Sequence, residues 1–184
     1  FHGNGKVFLD STFHMCRPSS ESCLMKFMTT KIFIHGLESS NQGNKSVFFK
    51  RTFPDILIPN FRGNLQDRME RLNEILSGKS KIKLVGSSFG GLMASIFAMK
   101  NEPRVDKLIL LAPAINLLEF AHYHEIKLTV PVWIYHGKDD ELIPLKAVEK
   151  VAKNSFQNLS FNIVDDDHNL HKTFKTIDWN RFLL

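Results

Sequence analysis

The sequence has only two cysteines among its 184 residues and no long apolar run. Cys16 and Cys23 both lie near the N-terminus, and their spacing matches no zinc-binding signature. The body of the chain has no cysteine, which fits the reducing cytoplasm that we expect as its location. No apolar run approaches the roughly 20 residues that span a bilayer, so we expect no membrane insertion.

The basic residues show no concentration that would favour a nucleic acid as partner. The formal net charge is +5, but the lysines and arginines are scattered along the chain. No Lys/Arg block alternates with aromatic residues, and no nucleic-acid-binding motif occurs. We therefore expect a solvated basic surface rather than a nucleic-acid site.

Residues 1–27 differ in character from the rest of the chain, because they mix turn-forming residues with isolated apolar ones. They lack the basic start and apolar stretch of a secretory signal. We interpret them as an N-terminal extension, either non-native or translated from upstream; the alternative is an arm that packs on the domain. Residues 28–184 are then expected to form one domain, long enough for a sizeable core.

From residue 31 onward, short apolar runs alternate with longer amphipathic ones. Strands are predicted over 31–35, 55–59, 82–86, 107–111, 132–136 and 159–164. Helices are predicted over 46–51, 65–76, 88–100, 145–152 and 173–182, and a short one over 115–124. This alternation predicts an α/β fold of three layers, with about six mostly parallel strands.

The run Gly86-Ser87-Ser88-Phe89-Gly90 is the most informative motif. It joins the predicted strand over 82–86 to an apolar, helix-like stretch over 92–99. Strand, sharp turn and helix are the context of a Gly-x-Ser-x-Gly nucleophile elbow, in which the serine occupies a strained corner. Gly86 and Gly90 would remove the β-carbons that otherwise collide around this corner.

Other predicted strands also end in groups that can do chemistry. Because ligands of open parallel sheets bind beyond the carboxyl ends of the strands, we expect these ends to converge on one crevice. The four segments are 35–40, 86–91, 136–144 and 165–170.

Four motifs make the chain resemble a small α/β-hydrolase over roughly residues 30–184. They are His-Gly-Leu at 35–37, Gly-Ser-Ser-Phe-Gly-Gly at 86–91, His-Gly-Lys-Asp-Asp-Glu-Leu-Ile-Pro at 136–144 and Asp-His-Asn-Leu at 167–170. The small size and the early His-Gly-Leu-Glu-Ser-Ser are similar to minimal bacterial esterases of the YqiA type. The resemblance implies a fold with a minimal cap domain or none, since 112–130 is too short for a lid domain.

The resemblance implies a catalytic triad with Ser88 as nucleophile, His168 as base and Asp140 as the acid that orients the histidine. Asp139 and His171 are the alternatives for the acid and the base, whereas His122, His124 and His136 are weaker candidates. The backbone N–H groups of Leu37 and Phe89 would form the oxyanion hole, with Gly36 allowing a close approach. Side chains expected to line the site are Phe89, Leu117, Leu118, Phe120 and Leu142.

The function expected from these residues is that of a serine carboxylesterase that cleaves short-chain esters through an acyl-enzyme, without metal or cofactor. Its partner would be a small-molecule ester. A thioesterase or amidase could use the same groups, and a non-catalytic module that binds a small ligand is the alternative outside enzymes.

Overall fold

A computed structural model describes residues 29–123 and 127–184. The predicted N-terminal extension, 1–27, lies outside the described residues and stays a prediction. His124 lies outside them as well.

The described residues form a five-stranded parallel sheet in the order β1-β2-β3-β4-β5. The strands are β1 (Thr30–Ile34), β2 (Ile82–Ser87), β3 (Val105–Leu111), β4 (Val132–Gly137) and β5 (Leu159–Val164). Their carboxyl ends therefore share one edge, which is where the sequence predicted the reactive groups to meet.

The strand predicted over 55–59 is reduced to a single bridge, in which Leu57 pairs with Ile32 of β1. Pro54 and Pro59 flank this segment, and a proline has no N–H to extend a ladder. Leu57 pairs with one edge of β1, and β2 pairs with the other edge. The chain therefore passes from one side of β1 to the other between Leu57 and β2. The direction in which successive segments are added to the sheet therefore reverses at β1. In open parallel sheets, ligands bind near such a reversal.

Six helices are described: α1 (Asn44–Thr52), α2 (Leu65–Ile75), α3 (Phe89–Lys100), α4 (Leu118–Ala121), α5 (Leu145–Ser155) and α6 (Trp179–Leu183). The helix predicted over 173–182 is mostly wrong, because only its last part is helical. The Asp166 side chain accepts hydrogen bonds from the N–H groups of Lys172 and Thr173, which holds this segment in turns, and Asp178 caps α6.

The sheet is the middle of three layers, because alternate side chains of each strand face opposite cores. In β1, Ile32 and Ile34 pack on the side covered by α2, α3 and α5, whereas Phe33 packs on the side of α1 and α6. The predicted three-layer α/β architecture is confirmed. Between β3 and β4, the described residues contain only α4, a helix of four residues.

Candidate active site

Ser88 occupies a sharp corner between β2 and α3, with φ 55° and ψ −119°. This positive φ is strained for a residue with a side chain, at a typical cost of about 1–3 kcal/mol. The Ser88 N–H donates to the Leu111 carbonyl at 2.9 Å, and the Ser88 carbonyl accepts from Gly91 N–H at 2.8 Å. These bonds hold the corner in place, and the hydroxyl projects beyond the sheet edge.

Gly86 and Gly90 are needed for this corner, as the motif predicted. A β-carbon at Gly86 would lie 2.5 Å from the Gly90 carbonyl oxygen. One at Gly90 would collide with the carbonyl oxygens of Ile34 and His35 in the neighbouring strand end. The elbow therefore packs directly against the loop after β1, which brings the His35-Gly36-Leu37 segment next to the serine.

Ser88, His168 and Asp140 come together in one hydrogen-bonded chain. The Ser88 Oγ lies 3.1 Å from His168 Nε2, and His168 Nδ1 lies 2.9 Å from Asp140 Oδ2. A carboxylate can only accept, so the proton sits on Nδ1 and the lone pair of Nε2 faces the serine hydroxyl. His168 is thus in the tautomer that can take a proton from Ser88.

The alternatives to the acid and the base lie elsewhere. His171 is exposed and pairs with Asp167 at 2.7 Å, away from the serine. The Asp139 side chain is exposed, whereas that of Asp140 is completely buried. The geometry thus favours Asp140 and His168 within the pairs that the sequence left open.

Asp140 is held by backbone and side-chain donors. Its Oδ1 accepts from the N–H groups of Leu142 at 3.0 Å and Ile143 at 2.8 Å, in the turn that leads into α5. These two bonds leave Oδ2 directed at His168. Both carboxylate oxygens are therefore fixed before any substrate binds.

His136 also contacts this carboxylate, which the sequence did not predict. Its Nε2 lies 3.2 Å from Asp140 Oδ2 and 3.0 Å from the Ile143 carbonyl oxygen. Both are acceptors, so Nε2 carries the proton, and burial lowers the pKa of His136 and favours the neutral ring. His136 stands four residues before Asp140 at the end of β4, and this spacing is the only signal that the sequence offered for the contact.

His35 fixes the peptide that carries the predicted oxyanion donor of Leu37. The Phe61 N–H donates to His35 Nε2 at 3.0 Å, so Nδ1 carries the hydrogen and donates to the Gly36 carbonyl at 2.8 Å. The Gly36 carbonyl and the Leu37 N–H belong to one planar trans peptide and point in opposite directions. The buried histidine therefore turns the Leu37 N–H away from itself.

The two predicted donors flank Ser88. A β-carbon on Gly36 would lie 3.3 Å from the Ser88 Cβ, so the Gly36–Leu37 peptide passes close to the serine. Phe89 follows Ser88 directly as the first residue of α3, where N–H groups lack helical partners and the helix dipole favours negative charge. This arrangement is suited to a developing oxyanion.

A groove of about 940 Å³ opens beside Ser88 and His168. It runs between α1 and the segment 168–175, and its apolar wall includes Phe33, Phe48 and Phe174. Of the side chains that the sequence predicted to line the site, Leu142 does so. Phe120 is instead part of the core, and Leu118 is 84% exposed, because α4 follows β3 on the face opposite to the groove.

Two further observations on the described residues concern metal ions and membranes. No group of three or more His, Cys, Asp or Glu side chains in 29–123 and 127–184 is arranged to hold a metal ion. No helix in this part of the chain is long and apolar enough to cross a membrane.

Comparison with known proteins agrees with the topology. A family model described as alpha/beta hydrolase fold matches residues 59–127, which include the elbow. No curated protein matches the sequence.

Similar solved structures include an esterase from Exiguobacterium antarcticum, 14% identical, with a TM-score of 0.67 over 81% of this chain and 88% of that one. Est1E from Butyrivibrio proteoclasticus, solved with ferulic acid bound, is 18% identical, with a TM-score of 0.65 over 83% and 85% of the two chains. Alpha/beta hydrolase domain-containing protein 10 from mouse is 20% identical, with a TM-score of 0.65 over 80% and 84%. The parallel sheet, the serine elbow after β2 and these likenesses show that the chain has the α/β-hydrolase fold.

Proposed function

We propose that this protein is a serine hydrolase that cleaves carboxylic esters through an acyl-enzyme. The observation that carries the proposal is the continuous chain from Ser88 Oγ to His168 Nε2 at 3.1 Å and from His168 Nδ1 to Asp140 Oδ2 at 2.9 Å. A serine hydroxyl is a weak nucleophile until a neighbouring base takes its proton. The esterases among the structural neighbours support the same chemistry.

In the first half of the proposed reaction, Ser88 Oγ bonds to the ester carbonyl carbon and His168 Nε2 takes the hydroxyl proton. The carbonyl oxygen becomes an oxyanion, which the Leu37 and Phe89 N–H groups stabilise. When the carbon–oxygen bond to the alcohol breaks, His168 returns its proton to the leaving oxygen. Water then attacks the acyl-enzyme with His168 again as base, and the acid is released with Ser88 regenerated.

The direct test is labelling by a fluorophosphonate probe, together with hydrolysis of p-nitrophenyl butyrate. The wild type should react with the probe and Ser88→Ala should not, and the variant should lose several orders of magnitude in turnover because triad members act as a unit. Ser160→Ala is the matched control, since this serine is exposed on β5 and its removal should change neither signal. Labelling that persists in Ser88→Ala would exclude the assignment.

The same experiment separates the alternatives. A non-catalytic binding module, with an unactivated serine, would neither label nor hydrolyse any substrate. A thioester and an amide of the same acid, assayed beside the ester, distinguish the three classes of hydrolase. We propose the ester as the preferred class, with a short acyl chain, because only the short helix α4 is described between β3 and β4.

A further inference from the structure

Arg68 is a buried side chain that contacts both segments carrying the predicted oxyanion donors. Its Nη2 donates to the Leu37 carbonyl at 3.4 Å, and its Cζ lies 5.6 Å from the centroid of the Phe89 ring. We propose that Arg68 is a positioning residue of the oxyanion hole, an inference that rests on the proposed function. It contacts neither Ser88 nor the groove, so it would act by holding these two residues and through the field of its charge.

The sequence around Arg68 fixes where the guanidinium points. Asn64 and Asp67 form a reciprocal capping box at the start of α2, which sets the first turn of this helix. Arg68 follows in that turn and is only 5% exposed, and its Nε donates to the Gly63 carbonyl at 2.9 Å. A surface arginine would adopt many rotamers, whereas this one is held at both ends of its guanidinium.

The charge of Arg68 has no contacting counter-ion. A buried cation ordinarily pairs with a carboxylate, because desolvation costs several kcal/mol per ion. Among the described residues, none makes an ion pair with Arg68, and its buried Nη1 has no hydrogen-bond partner. The exposed Glu38 is a group of opposite charge that acts on Arg68 through space.

Burial lowers the pKa of Arg68, but a guanidinium titrates so far above neutrality that it keeps its charge. A full positive charge therefore lies behind the donors, in surroundings that screen it weakly.

Arg68 and His35 together hold both peptides around Leu37. His35 holds the Gly36 carbonyl and Arg68 holds the Leu37 carbonyl, so the loop cannot rotate its N–H without breaking one of these bonds. Burial, with a smaller contribution from the charge of Arg68, also lowers the pKa of His35, which favours the neutral ring that donates to Gly36. The charge would favour the oxyanion over the neutral ester, so its effect belongs to the transition state.

The test is Arg68→Met, with Arg68→Lys as the variant that keeps the charge. Acylation and deacylation both pass through an oxyanion, so we expect kcat and kcat/KM to fall together by about 10- to 100-fold in Arg68→Met, with KM little changed. The inhibition constant of an alkyl boronic acid, which forms a tetrahedral adduct with Ser88, should rise by a similar factor. Arg68→Lys should recover part of the loss.

Arg71→Met is the matched control. Arg71 lies three residues further along α2 and is exposed, and its ion pair among residues 29–123 and 127–184 is with Glu74. Its removal should leave both rates as in the wild type. Thermal unfolding of every variant shows whether the fold is intact.

Three outcomes would overturn the inference. They are a folded Arg68→Met with wild-type kcat, a rise in KM alone, and the failure of both Arg68 variants to fold. A wild type that hydrolyses no ester and resists the fluorophosphonate would instead refute the proposed function, so the two failures are distinguishable.

Discussion

Asp140→Asn tests the arrangement of protons in the site without changing its shape. In the described part of the chain, the four groups that contact this carboxylate carry N–H hydrogens: two backbone amides at Oδ1, and the His168 and His136 rings at Oδ2. An asparagine has one oxygen and one NH₂ group. Its oxygen is needed by the two backbone donors, so the NH₂ group faces His168.

An NH₂ group facing His168 Nδ1 requires a lone pair there, which moves the ring proton to Nε2. His168 would then present a hydrogen to Ser88 and could not take the serine proton. The same substitution in a triad of this kind lowers kcat by about 10⁴, or roughly 5.4 kcal/mol of barrier. His136 can keep its proton on Nε2, where it donates to the Ile143 carbonyl at 3.0 Å, so we expect the fold to survive.

The assay is kcat/KM for p-nitrophenyl butyrate, with thermal unfolding of the same samples. Asp139→Asn is the control, because this neighbour is exposed and its loss should leave the rate unchanged. A folded Asp140→Asn within ten-fold of wild type, or a large loss in Asp139→Asn, would refute the proton assignment.

Three further outcomes are expected. Gly36→Ala would place a methyl group 3.3 Å from the Ser88 Cβ, so the loop must shift; kcat should fall about 10-fold with little change in the melting temperature. Burial alone would raise the pKa of Asp166, but hydrogen bonds from three backbone N–H groups outweigh it and hold that pKa below its ordinary value. The stability that this carboxylate contributes is present above the ordinary aspartate pKa and is lost as the pH falls through the lowered pKa. The free energy of unfolding, measured in urea near pH 7 and at about pH 3, should therefore decline less in Asp166→Asn than in the wild type. Across p-nitrophenyl esters from acetate to palmitate, kcat/KM should favour the short acyl chains, and the opposite order would refute the proposed preference for short-chain esters.

Much of the fold was predictable because periodicity reports burial directly. The strand over 159–164 has the predicted bounds, and the helix over 65–76 differs by one residue at its end. The strand over 55–59 was not predictable in the same way, since its apolar residues pair with β1 through Leu57 alone. The helix prediction over 173–182 failed because the Asp166 side chain, only a few residues earlier, accepts hydrogen bonds from the N–H groups of Lys172 and Thr173 and holds this segment in turns.

The candidate site likewise has residues that could be predicted from the sequence and residues that could not. The elbow motif and the order of residues selected Ser88, Asp140 and His168, which the structure brings within hydrogen-bond distance, although their catalytic roles remain predictions. Arg68 and the contacts of His35 and His136 could not be found, because a buried polar side chain has no sequence signature until its partners are known. The tautomers of His35, His136 and His168 could not be predicted either, because each is set by the hydrogen-bond partners of the two ring nitrogens.

The separation of Ser88 and His168 along the chain has a consequence for how the proposed activity would be lost. Ser88 and His168 stand 80 positions apart, and the histidine depends on the loop after β5, which is an edge strand of the sheet that the described residues form. An edge strand of this kind can detach at a lower free energy than the centre of the sheet. Catalysis would then cease while β1, β2 and β3 stay paired, so heat inactivation would precede the loss of most secondary structure.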